Sequence, residues 1–182
     1  MDSLKGQLLL ASTQLGDPNF VSTVTLIVQH DENGALGLIL NRPSETTIQE
    51  ACSQALELPC VVEGVLHQGG PCQGPLMVVH DRDDESQIDV IDGVHFTTVR
   101  EEIESLLLNT EVKLKFFVGY SGWAAGQLEM EFEAGSWLTF PADAEQIFNA
   151  PAGEEQYFKL IQKITIGQYI DPERIPEDPN VN

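Results

Sequence analysis

Positive charge is what this sequence has least of. Nine Lys and Arg stand against 29 Asp and Glu, a formal charge of −20 over 182 residues, where a small domain ordinarily carries about 2–8 net charges in magnitude. Such a surface repels phosphate backbones and anionic lipid headgroups, and it attracts cations or basic partners. Non-specific nucleic-acid binding needs Lys and Arg to replace condensed counterions. The closest cation pairs, Lys113/Lys115 and Lys159/Lys163, make no basic stripe. Direct nucleic-acid binding is therefore disfavoured, which leaves solubility or a basic protein partner as readings of the charge.

Cysteine is scarce as well. Cys52, Cys60 and Cys72 give an odd count without C-x-x-C, which argues against a disulfide framework or a structural zinc site and for a reducing compartment. Long apolar runs are missing: nothing approaches the ~20 residues of a membrane span. The stretch Leu8–Ala11 is too short and too weakly flanked by positive charge for a signal peptide. The expected location is cytoplasmic, with no membrane association. No internal repeat or low-complexity segment occurs.

What remains is enough for a core. The hydrophobic content of 42% is that of an ordinary globular chain, and at this length folding buries roughly 70% of the unfolded surface. One domain over residues 1–170 is expected, followed by a loose tail at 171–182 that carries Pro172, Pro176 and Pro179.

Periodicity then places the elements. Residues 6–11 read as a first strand, and Thr23–His30, apolar on nearly both faces, as a central one. Asp31-Glu32-Asn33-Gly34 supplies a turn into a second strand at Ala35–Leu40, closed by Pro43. Thr47 with Glu50 is a capping-box pattern opening a helix to about Leu58, its apolar stripe made by Ile48, Ala51, Cys52, Ala55 and Leu56, with Pro59 as its stop. Cys52 on that stripe reads as core rather than nucleophile. Short strands are expected at Val65–His67, Leu76–His80 and Ile88–Ile91, with a solvated acidic loop at Asp81–Glu85. Thr98 with Glu101 repeats the capping pattern for a second helix, stopped at Asn109. Val112–Gly119 is the clearest strand. Between Trp123 and Glu133 strand alternation competes with an i, i+4 row, and residue propensity favours helix. Trp137–Phe140 reads as a strand, Ala142–Phe148 and Glu154–Ile164 as helices, the last burying Tyr157, Phe158, Leu160 and Ile161. Hairpins mixed with helices, without repeating βαβ units, make an α+β fold.

Reactive constellations are absent from the pattern. No phosphate-binding glycine loop occurs, and Gly69-Gly70-Pro71-Cys72-Gln73-Gly74 lacks the lysine such a loop needs, so it reads as a tight connection. Gly119-Tyr120-Ser121-Gly122-Trp123 fails the nucleophile elbow at its last position. His30, His67, His80 and His95 have no metal-ligand spacing. Asp81, Asp83 and Glu85 mimic the start of a calcium loop, but Ser86 replaces its turn glycine, which leaves a weak cation site at most. No catalytic residue, metal or cofactor is expected. A polar patch is: Asn41 and Arg42 past a strand, Gly69 and Gly70, and Gln127 and Glu129 at a helix start, with Tyr120, Gly122 and Trp123 between them. Arg42 could clamp a carboxylate bidentately or pair with one of the chain's own acids.

The same segments resemble the bacterial YqgE/AlgH family. The resemblance is carried by Gly6–Ala11, Asp17-Pro18, Phe20, Val24–His30, Gly34–Pro43, Gly69-Gly70-Pro71 and Gly119–Trp123. It continues through Gly126-Gln127-Leu128-Glu129, Glu131 and Trp137, covering about residues 4–160 in order. Ser121, where the family usually has Ala, and Cys72, where Val commonly follows Gly-Gly-Pro, are departures. The resemblance implies a bifurcated mixed sheet that includes a small closed barrel, surrounded by helices, and it favours helix over 123–133. Some members are described as transcriptional regulators; without a basic recognition helix here, such a role would run through a protein partner. The expectation is thus a non-enzymatic regulatory or interaction protein. The alternative is a small-molecule binder or enzyme using the loops around Asn41/Arg42, Gly69/Gly70 and Gln127.

Overall fold

Alternation decides which face of each strand is buried, and here most strands are buried on both. The structure, a computed structural model, describes residues 2–53 and 60–169. In β1 (Gln7–Ala11), Leu8 and Leu10 point to one core while Leu9 and Ala11 point to another. The same division holds in β2 (Val24–Asp31), with Val24, Leu26 and Val28 on one side and Ile27 on the other. β2 is central, as its nearly continuous apolar run predicts. It pairs antiparallel with β1 and with β3 (Gly34–Ile39), while β10 (Ser121–Ala124) and β11 (Trp137–Pro141) form the edges of this five-stranded sheet.

A second sheet of six strands runs β4 (Pro43–Thr47), β5 (Val65–Gln68), β9 (Leu114–Val118), β6 (Met77–His80), β8 (Val94–Thr97) and β7 (Ile88–Ile91). The β5–β9 pair is parallel and the other pairs are antiparallel. Met77, Val79, Phe96 and Phe117 face Leu8, Leu10, Leu26 and Leu38 of the first sheet, with Ile147, Tyr157 and Leu160 closing that core. The last three come from α4 (Ala144–Phe148) and α5 (Glu154–Tyr169). On the opposite face, Val78 and Phe116 meet Ile48 of α1 (Ile48–Ala51) and Ile103, Leu106 and Leu107 of α2 (Arg100–Leu107). The outer face of the first sheet is covered by α3 (Gln127–Glu133) through Leu128.

The protein is therefore α+β, with two mixed or antiparallel sheets and five α-helices among the described residues. Both sheets run from edge to edge; no pairing that closes either into a barrel occurs among the described residues.

Several predicted elements differ from what forms. Pro43 does not merely end a strand; it opens β4, an edge strand paired to β5, where the missing N–H costs no ladder bond. β8 is an unpredicted strand, joined to β7 by an Asp92-Gly93 turn with Gly93 at φ 68°. Thr47 and Glu50 form their capping box, whereas the Thr98 hydroxyl donates to Gln87 instead and α2 starts after Val99 without a side-chain cap. The stretch 123–133 divides: Trp123 ends in β10, and the helix starts after Gly126 at φ 75°. Phe158 is exposed, because adjacent helical residues point about 100° apart and Tyr157 takes the core position. The predicted helix beyond Ser53, with Ala55, Leu56 and Pro59, and the tail at 171–182 lie outside the described residues.

Candidate functional site

The nine residues of the expected patch occupy three separate environments. Asn41 is buried, and its amide is taken up by backbone. Oδ1 accepts from Val24 N–H at 2.9 Å, while Nδ2 donates to the carbonyls of Ser22 and Gly153 at 2.8 and 3.0 Å. Three of its four hydrogen-bonding positions are thus filled internally. Arg42 is satisfied by backbone. Its guanidinium donates to the carbonyls of Asn19 and Val21, and no ion pair to it occurs among the described residues.

Gly69, Gly70, Tyr120 and Gly122 meet where the two sheets join. Ile39 N–H donates to Gly69 O, Gly69 N–H to Val118 O, and Cys72 and Tyr120 exchange two backbone bonds of 2.9 and 3.0 Å. Side chains at Gly69 or Gly70 would collide with the 119–121 backbone, so these glycines permit close chain approach rather than ligand approach. Ser121 is buried here and its hydroxyl donates to Gly69 O at 3.2 Å.

The third environment is the underside of α3. Gln127 accepts from Ala124 N–H and donates to Glu131 at 2.9 Å. Glu131 Oε2 accepts from both indoles of the chain, Trp123 at 3.0 Å and Trp137 at 2.9 Å. Phe20 stacks on Trp123 and meets Trp137 edge-on, and the carbonyls held by Arg42 flank that phenylalanine. Glu129 takes a 3.0 Å bond from His30 Nε2. Leu4 N–H donates into His30 Nδ1 at 2.9 Å, which puts the ring proton on Nε2. The side chains of Asn41, Arg42, Trp123, Gln127 and Glu129 therefore each have an internal partner. The role of Glu131 was not visible in the sequence, since its donors lie at separate turns of the chain.

Two clefts remain. One of about 570 Å³ is lined by Ser44, Gln68, Gly70, Cys72 and Gly119. Another of about 560 Å³ is walled by Asp81, Asp83, Asp89, Asp92 and His95. Asp89 accepts from Ser86 at 2.7 Å and from His95 at 2.9 Å, and these bonds hold its carboxyl below the ordinary aspartate range. The calcium-like order of Asp81, Asp83 and Glu85 does not produce an open ligand loop: Arg82 turns back onto Asp84 at 2.6 Å and Glu85 at 3.5 Å. Among the described residues no three metal-ligating side chains converge.

Two buried histidines make a measurable signature. Burial, with Lys115 beside it, pushes the imidazole of His67 down to about 4; burial, with His95 stacked at 5.9 Å, does the same to His80. In the unfolded chain both titrate near about 6.5. Between about pH 6.5 and 4 the unfolded state binds protons that the folded state refuses, so stability falls as pH drops through that window. Urea midpoints should decline from about pH 7.5 to 5, before most carboxylates titrate, and His80→Gln should flatten that slope.

Comparison with known proteins agrees with this architecture. A family model described as AlgH-like matches residues 8–168. The chain belongs to the AlgH/YqgE family. Within the family, it is 41% identical to a UPF0301 protein of Chlorobaculum tepidum, over 97% of this chain and 95% of that one. It is 42% identical to a UPF0301 protein of Xanthomonas axonopodis pv. citri, over 85% of each. The solution structure of AlgH from Pseudomonas aeruginosa superposes with a TM-score of 0.73 at 28% identity, covering 100% of this chain and 97% of that chain. The AlgH-like residues quoted from the sequence, Asn41, Gly69, Gly70, Trp123, Gln127 and Glu131, thus act in this chain as ties between its elements. No helix among the described residues is long and apolar enough to cross a membrane.

Proposed function

We propose that this AlgH-family chain is a non-enzymatic regulatory or interaction protein of the cytoplasm that docks a basic protein partner on its acidic surface. The observation that carries this reading is the charge of −20, to which the four aspartates around the cleft beside His95 contribute. A cleft walled by carboxylates suits a lysine or arginine side chain, and long-range attraction would speed encounter with a cationic face. Any transcriptional effect would then pass through that partner, because polyanionic DNA is repelled.

The small-molecule reading is weaker. The polar groups once available to it, on Asn41, Arg42, Gln127 and Glu129, all bond within the chain.

Affinity capture of cell proteins on the intact chain, eluted by rising salt, tests the proposal. Basic proteins should be retained at low salt and released by about 0.5 M, where the screening length falls to a few ångströms. Asp89→Asn with Asp92→Asn should lower their retention. Retention that ignores both salt and these substitutions would sink the reading.

A further inference from the structure

Among the described residues, Lys115 has no counterion in a protein crowded with carboxylates. It lies on β9 opposite Val79 of β6, on the strand face that carries Phe117 into the inter-sheet core. Its Nζ sits 3.4 Å from Nε2 of His67, which belongs to the neighbouring parallel strand β5. His67 is 8% exposed, rests against the Phe117 ring at 5.6 Å, and leaves its Nδ1 without a hydrogen-bond partner. No acidic group is within ion-pair distance of Lys115 among the described residues. Lys115 itself is half-buried.

We propose that Lys115 is a nucleophilic amine that captures small aldehydes as imines, with His67 as the residue that positions it. A desolvated lysine beside a neutral acceptor, with no carboxylate in reach, has less to stabilise its ammonium form than one held in an ion pair. Burial accordingly holds the Lys115 amine below the ordinary lysine range, and the same burial keeps His67 uncharged at neutrality. In the step itself, the Nζ lone pair bonds to the carbonyl carbon and the carbonyl π pair moves onto oxygen. One N–H proton passes through solvent to that oxygen, giving a carbinolamine. The C–O bond then breaks and the oxygen leaves as water with the second N–H proton, leaving Lys115 joined by C=N. No oxidant or reductant is consumed. The site is independent of partner docking, and neither reading requires the other.

The probe is glyoxylate with cyanoborohydride at neutral pH, applied to the intact chain, with each lysine's conversion to carboxymethyl-lysine followed by peptide mass spectrometry. Exposed Lys113, two residues away, is the internal reference. Lys115 should be labelled at least ~10-fold faster than Lys113; a rate no higher than that of Lys113 overturns the proposal. The pH profile of the unmodified protein provides a second reading. Half-maximal labelling of Lys115 should come at lower pH than that of Lys113, and coincident curves would also overturn it. Among variants that keep the native circular dichroism spectrum, His67→Gln, a neutral acceptor, should retain the fast rate. His67→Glu supplies a counterion and should bring Lys115 down to the Lys113 rate. Equal labelling in His67→Glu and the parent chain would remove His67 from the account.

Discussion

Replacing Glu131 with alanine should lower folding stability by about 3–5 kcal/mol, one of the largest losses expected from any single side chain on α3. The reason is the number of donors that converge on one carboxylate. Both indole N–H groups and the Gln127 amide donate to it, and Trp123 and Trp137 are 6% and 3% exposed. Hydrogen bonds to a charged acceptor contribute about 1.5–3 kcal/mol each, and a buried donor left without a partner costs about 1–3 kcal/mol. Glu131→Gln keeps one acceptor oxygen of the same shape and should lose only about 1–2 kcal/mol. Because these are the chain's two tryptophans, emission during urea unfolding reports the same cluster that the substitution disturbs. If Glu131→Ala melts within about 1 kcal/mol of the parent protein, the indoles find water as readily as the carboxylate. The cluster would then have no role in holding α3 to the first sheet.

How much of this was legible in the sequence depended on how far apart the interacting groups lie. The β2–β3 hairpin was readable because its pattern and turn are local, and so was the Thr47 capping box. Thr98 carries the same local pattern yet does not cap, since Gln87, 11 residues earlier on the approach to the neighbouring strand β7, takes its hydroxyl. Nothing within four residues of Thr98 encodes that competition. Asn41 was rightly singled out as unusual, but its three partners lie 17, 19 and 112 residues away. A polar side chain reserved for distant backbone looks, in one dimension, like a polar side chain reserved for a ligand. The partners of Arg42 were hidden in the same way, because the backbone carbonyls of Asn19 and Val21 carry no residue signature that could be recognised as its target. Lys115 and His67 were invisible as a pair, since a parallel strand pairing joins segments 48 residues apart.

Gly70→Ala should be more damaging still, with an expected loss of about 4 kcal/mol or more and recovery mainly as insoluble protein. A β-carbon at this position would lie under 3.0 Å from the Tyr120 carbonyl carbon and from the Ser121 nitrogen. Those are backbone atoms, and they cannot swing aside as a flexible side chain could. Tyr120 is fixed by its two bonds to Cys72, and the adjoining Gly69 carbonyl receives both the Ile39 amide and the Ser121 hydroxyl. Relief of the clash therefore has to separate the strands that join the two sheets, which opens the core between Leu38 and Phe117 on either side. Gly16→Ala is the matched control, because nothing lies within 4 Å of the added carbon and its backbone is in no left-handed conformation. Its stability should stay within about 0.5 kcal/mol of the parent. Equal melting of the two alanine variants would mean that the sheets can part at this crossing at little cost. The Gly-Gly-Pro segment would then have to be explained by something other than close backbone contact.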